Sequence, residues 1–298
     1  MTTKSLRGVF AAVATPVDER DAPDVPRALK LAQYLLDSGC DGLNVLGTTG
    51  EATSFSLAQR QALMSAYKSQ GLPLDRLMVG TGASALADAI ALTRHAAELG
   101  FGGALILPPF YYKNVPNAGL SAYVAAIMAA TADSGIPIYL YHFPAMSAVS
   151  WPVDLIAELR RTHGARLAGL KDSSGDMPYA RAVAALDPGL AVFPSTEAVL
   201  VEARDGPFAG CISATANVNP DLCARAWRNG DRNALDDAVA IRKLFDGRPL
   251  VSGVKALLGH IHGDPALARV MPPLEAFSAQ DKAAVFGGYD AVRARKVA

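Results

Sequence analysis

Leu167-Ala168-Gly169-Leu170-Lys171-Asp172-Ser173-Ser174-Gly175-Asp176 is an apolar run that delivers one lysine and then breaks into small polar residues and a glycine. The run reads as a buried strand and the break as its exit loop, which puts Lys171 where apolar packing gives way to a polar pocket. Loss of water disfavours the charged form of an amine, and a neutral lysine amine adds to a carbonyl to form a Schiff base. A surface lysine just past a strand end is the alternative reading of this stretch alone. The rest of the chain has to decide between them.

Outward from this strand, short apolar runs alternate with stretches of helical period. Residues 9–13 read as a strand followed by a helix face of Ala28, Leu31, Leu35 and Leu36. Leu43, Asn44, Val45 and Leu46 form the second strand, and Ser56 with Gln59 makes a capping-box start for a helix through about Ser69. Residues 77–79 lead to Leu86, Ile90 and Ala97, and residues 104–107 lead to Leu120, Val124, Ile127 and Met128. Residues 138–141 precede a helix from about Pro152, residues 167–170 one from about Met177, residues 191–193 one over 198–203, and Cys211 with Ile212 one over 221–228. This sequence of strand–helix units predicts an α/β chain folded as a TIM (β/α)8 barrel over residues 1–230. A doubly wound sheet is the alternative, but the even spacing shows no crossover. From Asp231 onward the strand signal stops, and residues 231–298 read as a C-terminal helical region packed on the barrel.

The 298 residues are 51% hydrophobic, with 28 basic and 28 acidic side chains, so nothing in the charge balance points to nucleic acid or an anionic membrane. Cys40, Cys211 and Cys223 are widely spaced and fit neither a disulfide framework nor a zinc site. Neither a metal nor an organic cofactor is expected. The first residues lack the apolar core of a signal peptide and no stretch is suited to span a bilayer, so the expected location is cytoplasmic and the expected ligand a small molecule.

In such a barrel the chemistry sits at the C-terminal ends of the strands. The candidates there are Gly47, Thr48, Thr49, Gly50 and Glu51 after strand two, Tyr111 and Tyr112 after strand four, Tyr141 ending strand five, and Lys171 ending strand six. Glycines at 47 and 50 permit a tight turn that aims the amides and hydroxyls of Thr48 and Thr49 at one point, an anion nest suited to a carboxylate. Tyr141 at the barrel mouth is placed to relay a proton to a lysine-bound substrate; its alternative role is a core tyrosine. His142 alternates away from it and reads as structural. Ser195 and Ser213, at the ends of strands seven and eight, join Gly47, Thr48, Thr49 and Met146 as substrate-binding candidates.

Taken together, the Thr-Thr-Gly-Glu loop, Pro109-Phe110-Tyr111-Tyr112, Tyr141 with Pro144, and the Lys171 to Asp176 stretch resemble the N-acetylneuraminate lyase and dihydrodipicolinate synthase family of pyruvate-dependent Schiff-base enzymes. The resemblance runs over nearly the whole chain. It implies a homotetrameric TIM barrel in which Lys171 forms an imine with pyruvate or another 2-oxo acid. It further implies that Tyr141 shuttles protons, that Thr48 and Thr49 hold the carboxylate and assist the relay, and that Tyr111 acts at or across a subunit interface.

Departures from the family pattern narrow the function. Dihydrodipicolinate synthases carry an arginine where this chain has Met146, and a thioether cannot pair with a carboxylate as a guanidinium does. Neuraminate lyases place an Asp-Glu pair after strand seven and a serine after strand eight, where this chain offers Glu197-Ala198 and Ala214. The expectation is therefore an aldolase, lyase or dehydratase acting on pyruvate or a related 2-oxo acid, such as a 2-oxo-3-deoxy sugar acid, with an aldehyde as the expected second partner. The alternatives are dihydrodipicolinate synthesis and a non-catalytic 2-oxo acid-binding protein. A phosphate-dependent barrel enzyme fits poorly, because the loops after strands seven and eight lack a glycine-rich cradle.

Overall fold

The computed structural model describes residues 6–295. Its eight strands are β1 (Gly8–Ala12), β2 (Gly42–Val45), β3 (Leu77–Gly80), β4 (Gly103–Ile106), β5 (Ile138–His142), β6 (Leu167–Asp172), β7 (Ala191–Pro194) and β8 (Gly210–Ser213). They pair in parallel in the order β7-β6-β5-β4-β3-β2-β1-β8. The ends of that order meet where the Ala209 amide donates to the Val192 carbonyl at 2.9 Å, so the sheet comes round into the barrel that the repeating units predicted.

Alternation along each strand divides the apolar residues between two cores. Phe10, Met78, Leu105, Tyr139, Phe193 and Ile212 point inward and fill the barrel, while Val9, Leu43, Val79, Leu140, Leu170 and Cys211 point outward under the helices. Gly169 belongs to this packing: a Cβ there would lie 2.1 Å from the Ala191 carbonyl oxygen and 2.8 Å from the Tyr139 ring.

The helices begin where the sequence provides caps. The Ser56–Gln59 capping box opens the helix Leu57–Ser69, and Asp176, the last residue of the lysine stretch, caps Met177–Ala184. In Leu86–Leu99 the fully buried stripe is Ala89, Leu92, Thr93 and Ala96, with the expected Ile90 and Ala97 half-buried beside it and packed on the same core. After β8 and its helix Pro220–Asn229 come Arg232–Lys243, Leu250–His262 and Ala279–Ala294. Among the described residues, no helix is long and apolar enough to cross a membrane.

The turn after β2 is built differently from the sequence expectation. Gly47 and Gly50 do not have positive φ; the left-handed residues are Leu46 (φ 53°) and Glu51 (φ 52°), on either side of them. The glycines provide room instead. A Cβ at Gly50 would lie 2.9 Å from the Val13 carbonyl oxygen, and one at Gly47 would lie 2.9 Å from Asn44 Oδ1.

Glu51 is held in its unfavourable conformation by a fully buried ion pair with Lys255 of the helix Leu250–His262. Lys255 Nζ also donates to the Thr15 carbonyl (2.9 Å), and the Met271 amide donates to Glu51 Oε2 (2.6 Å). Burial pulls the Lys255 pKa down while Glu51 draws it back up. Removing one member leaves a buried charge alone, so Lys255→Met should lower the unfolding free energy measured by denaturant titration by about 3–5 kcal/mol, and adding Glu51→Gln should recover part of that loss. Equal stability of Lys255→Met and wild type would show that the pair does not hold the turn.

Candidate active site

Tyr141 and Lys171 are register partners on β5 and β6, so their side chains emerge side by side on the inner face of the barrel. Lys171 is 3% exposed, and its Nζ lies 4.4 Å from the centroid of the Tyr141 ring. The Tyr141 hydroxyl is 3.1 Å from Thr48 Oγ1, with either atom able to donate. The end of β5 is fixed from outside the barrel, where the Trp151 indole donates to the Tyr141 carbonyl at 3.1 Å.

Thr48, Thr49, Tyr141, Met146, Lys171 and Ser195 line one cavity of about 260 Å³ at the C-terminal mouth. An adjoining cavity of about 210 Å³ shares Thr48, Tyr141 and Met146 and adds Gly47. Two sequence candidates lie elsewhere. Tyr111 is 74% exposed and lines neither cavity within this chain, its ring packed edge-on against Tyr112. Ser213 is buried behind the cavity wall, where its hydroxyl donates to Glu197 Oε1 at 2.8 Å; β8 ends with this side chain turned into a polar cluster, away from the open space. Met146 is 67% exposed at the rim.

Two polar residues near the site carried no signal in the sequence reading. Asn44, inside an apolar strand, has its Oδ1 3.3 Å from Lys171 Nζ. Strict alternation on β2 would have turned it inward, but nothing local shows what it faces. Arg242, from the helix Arg232–Lys243, lines the cavity with its side chain 30% exposed. Its Nη1 donates to Glu197 Oε2 (3.4 Å), Ser213 Oγ (3.2 Å) and Thr215 Oγ1 (3.5 Å). Glu197 is fully buried, and its other oxygen accepts from both hydroxyls. Met146 leaves the rim without a guanidinium, but the C-terminal helices bring one to the cavity from another side.

Residues 5–287 match the model of the dihydrodipicolinate synthetase family. The chain belongs to that family. An uncharacterized DapA-like lyase of Chloroflexus aurantiacus is 33% identical over 97% of both chains. The crystal structure of dihydrodipicolinate synthase from Agrobacterium tumefaciens superposes with a TM-score of 0.90 at 27% identity, covering 96% of this chain and 99% of that one. A prophage protein of the dihydrodipicolinic acid synthase family from E. coli, solved in complex with pyruvate, shares the fold at 24% identity and a TM-score of 0.87, covering 96% of this chain and 98% of that one. The family is one of lyases, as the lysine and tyrosine stretches implied.

His142 points away from the cavity, as alternation required. It stacks on Tyr179 with ring centroids 4.2 Å apart, and its Nδ1 accepts from the Trp151 amide at 3.2 Å. Burial pushes its pKa down to about 4, slightly opposed by Asp176. The accepting nitrogen acts in the same direction, since protonation would set two N–H groups against each other. An unfolded imidazole takes up its proton near pH 6.5, well before the folded one, so stability is full above about 6.5 and is lost as pH falls towards about 4. His142→Asn, which keeps an acceptor but does not titrate, should flatten this part of the Tm–pH curve. An unchanged acid slope in the variant would remove His142 as its source.

Proposed function

We propose that the protein is a Schiff-base lyase in which Lys171 forms an imine with pyruvate or a 2-oxo acid that yields pyruvate, a 2-oxo-3-deoxy sugar acid being the class that fits best. The observation that carries this reading is a contrast between two buried lysines. Lys255 is neutralised by Glu51, whereas Lys171, just as buried, has no carboxylate within ion-pair range among the described residues and opens onto the cavity. A buried amine without a counter-ion, beside a tyrosine hydroxyl, is arranged for addition to a carbonyl. The pyruvate bound to the related prophage protein supports the choice of acid.

In this reading Thr48 and Thr49 receive the substrate carboxylate, and the Tyr141 hydroxyl, coupled to Thr48, carries protons to and from the carbinolamine. In aldol cleavage the C4 hydroxyl gives up its proton and the C3–C4 bond breaks, its electron pair moving into the iminium to leave an enamine while the distal fragment departs as an aldehyde. In a dehydratase a C3 proton is lost to form the enamine, which expels the C4 hydroxyl, protonated, as water. The cavity holds a small acid plus a short tail. Borohydride reduction with pyruvate should leave an adduct on Lys171 by peptide mass spectrometry and none in Lys171→Ala or Lys171→Arg, since arginine keeps the charge without an amine nucleophile. A wild type that binds pyruvate with no adduct would favour the non-catalytic binding protein.

Arg242 bears on the second substrate. Its Nε and Nη2 make no hydrogen bond to the described protein, so they are available to the distal end of a ligand, with Glu197 holding the guanidinium from behind. An acidic or polyhydroxylated tail matches this pairing. A charged hydrogen bond contributes roughly 1.5–3 kcal/mol, so Arg242→Leu should lower kcat/KM for an acid-tailed substrate by about one to two orders of magnitude while leaving borohydride trapping of pyruvate unchanged. Equal losses for acid-tailed and neutral substrates would argue against this role. Efficient wild-type condensation of pyruvate with aspartate semialdehyde would instead favour dihydrodipicolinate synthesis, with Arg242 serving where Met146 does not.

A further inference from the structure

We propose that Asn44 is a catalytic residue whose Oδ1 accepts the single hydrogen left on Lys171 Nζ once the imine has formed, and so fixes the plane in which the substrate is held. This rests on the Schiff-base reading above. β2 and β6 stand on opposite sides of the ring, so Lys171 reaches across the barrel to a partner on the far wall, 3.3 Å away. Asn44 is fully buried, and its Nδ2 has no hydrogen-bond partner. Neighbouring inward positions on the adjacent strands are apolar, among them Ala12 and Met78. A leucine or valine would fill the same space without burying an amide, so the amide is there at a cost in desolvation. It also meets the catalytic turn directly, since a methyl at Gly47 would come within 2.9 Å of Oδ1.

The chemistry explains why an acceptor matters at this point. The Nζ lone pair forms a bond to C2 of the 2-oxo acid and the carbonyl electron pair moves to oxygen. One amine hydrogen passes to that oxygen, a further proton delivered through Tyr141 takes it away as water, and the nitrogen lone pair closes the C=N bond. Nζ then keeps one hydrogen. An ammonium can redirect its other hydrogens, but the iminium has only this one, and it is buried. Directing it at Asn44 leaves the C2 substituents facing Thr48, Thr49 and Tyr141.

The test compares Asn44→Leu, which removes the acceptor at similar volume, with Asn44→Gln, which keeps a neutral amide oxygen and adds no counter-ion to Lys171. With saturating pyruvate and borohydride, the rate of adduct formation at Lys171 should fall about 10- to 100-fold in Asn44→Leu and stay within about threefold of wild type in Asn44→Gln. Asn44→Val gives the same comparison where Asn44→Leu fails to fold. Wild-type trapping in the apolar variant, or equal loss in both folded variants, would overturn the role of Asn44 while leaving the Schiff-base reading in place. An untrapped wild type would overturn both.

Discussion

The buried ion pair between Glu51 and Lys255 is the contact on which the C-terminal mouth of the barrel depends. It joins the turn after β2 to a helix about two hundred residues further along the chain, and it does so with no solvent at either charge. Such a pair contributes little net stability when intact, because desolvation offsets the attraction, but breaking it leaves an uncompensated charge. It therefore specifies geometry. Glu51 is kept in a left-handed conformation that a glutamate does not favour, and Thr48 and Thr49, just before it, line the cavity.

The same end of the barrel explains why its C-terminal helices are more than a covering layer. They contribute Lys255 to the turn, Arg242 to the cavity wall, and residues 249–252 to its lining. Below the cavity the barrel is packed with aromatic and aliphatic side chains, Phe10 and Phe193 meeting edge to face at 5.5 Å. Above that apolar layer the inward positions become polar, with Asn44, Tyr141 and Lys171 at the boundary. The cavity thus has a tightly packed apolar base and an open polar mouth.

Much of the fold was legible because its signals are local. Period-two and period-3.6 patterns marked the strands and helices, and the Ser56–Gln59 box and the turn after Lys171 marked their ends. The same alternation placed Tyr141 inward and His142 outward, as the structure has them. The turn after β2 follows a different rule. Two glycines in a short loop suggested backbone freedom, yet Gly50 is required by the approach of the Val13 carbonyl from the end of β1, a long-range contact, and Gly47 by the Asn44 side chain of the strand it follows.

The sequence by itself determined the strand–helix alternation, the inward face of each strand, and the position of Lys171 and Tyr141 at the ends of theirs, because side-chain direction follows from spacing along one element. Only the tertiary structure decided which groups those residues meet. Closure of the ring sets β2 opposite β6 and so brings Asn44 to Lys171; packing of the last helices brings Arg242 to Glu197 and Ser213; and Tyr111 is left exposed in the single chain. These are contacts between residues far apart in sequence, fixed by how layers pack and not by the period of any one stretch.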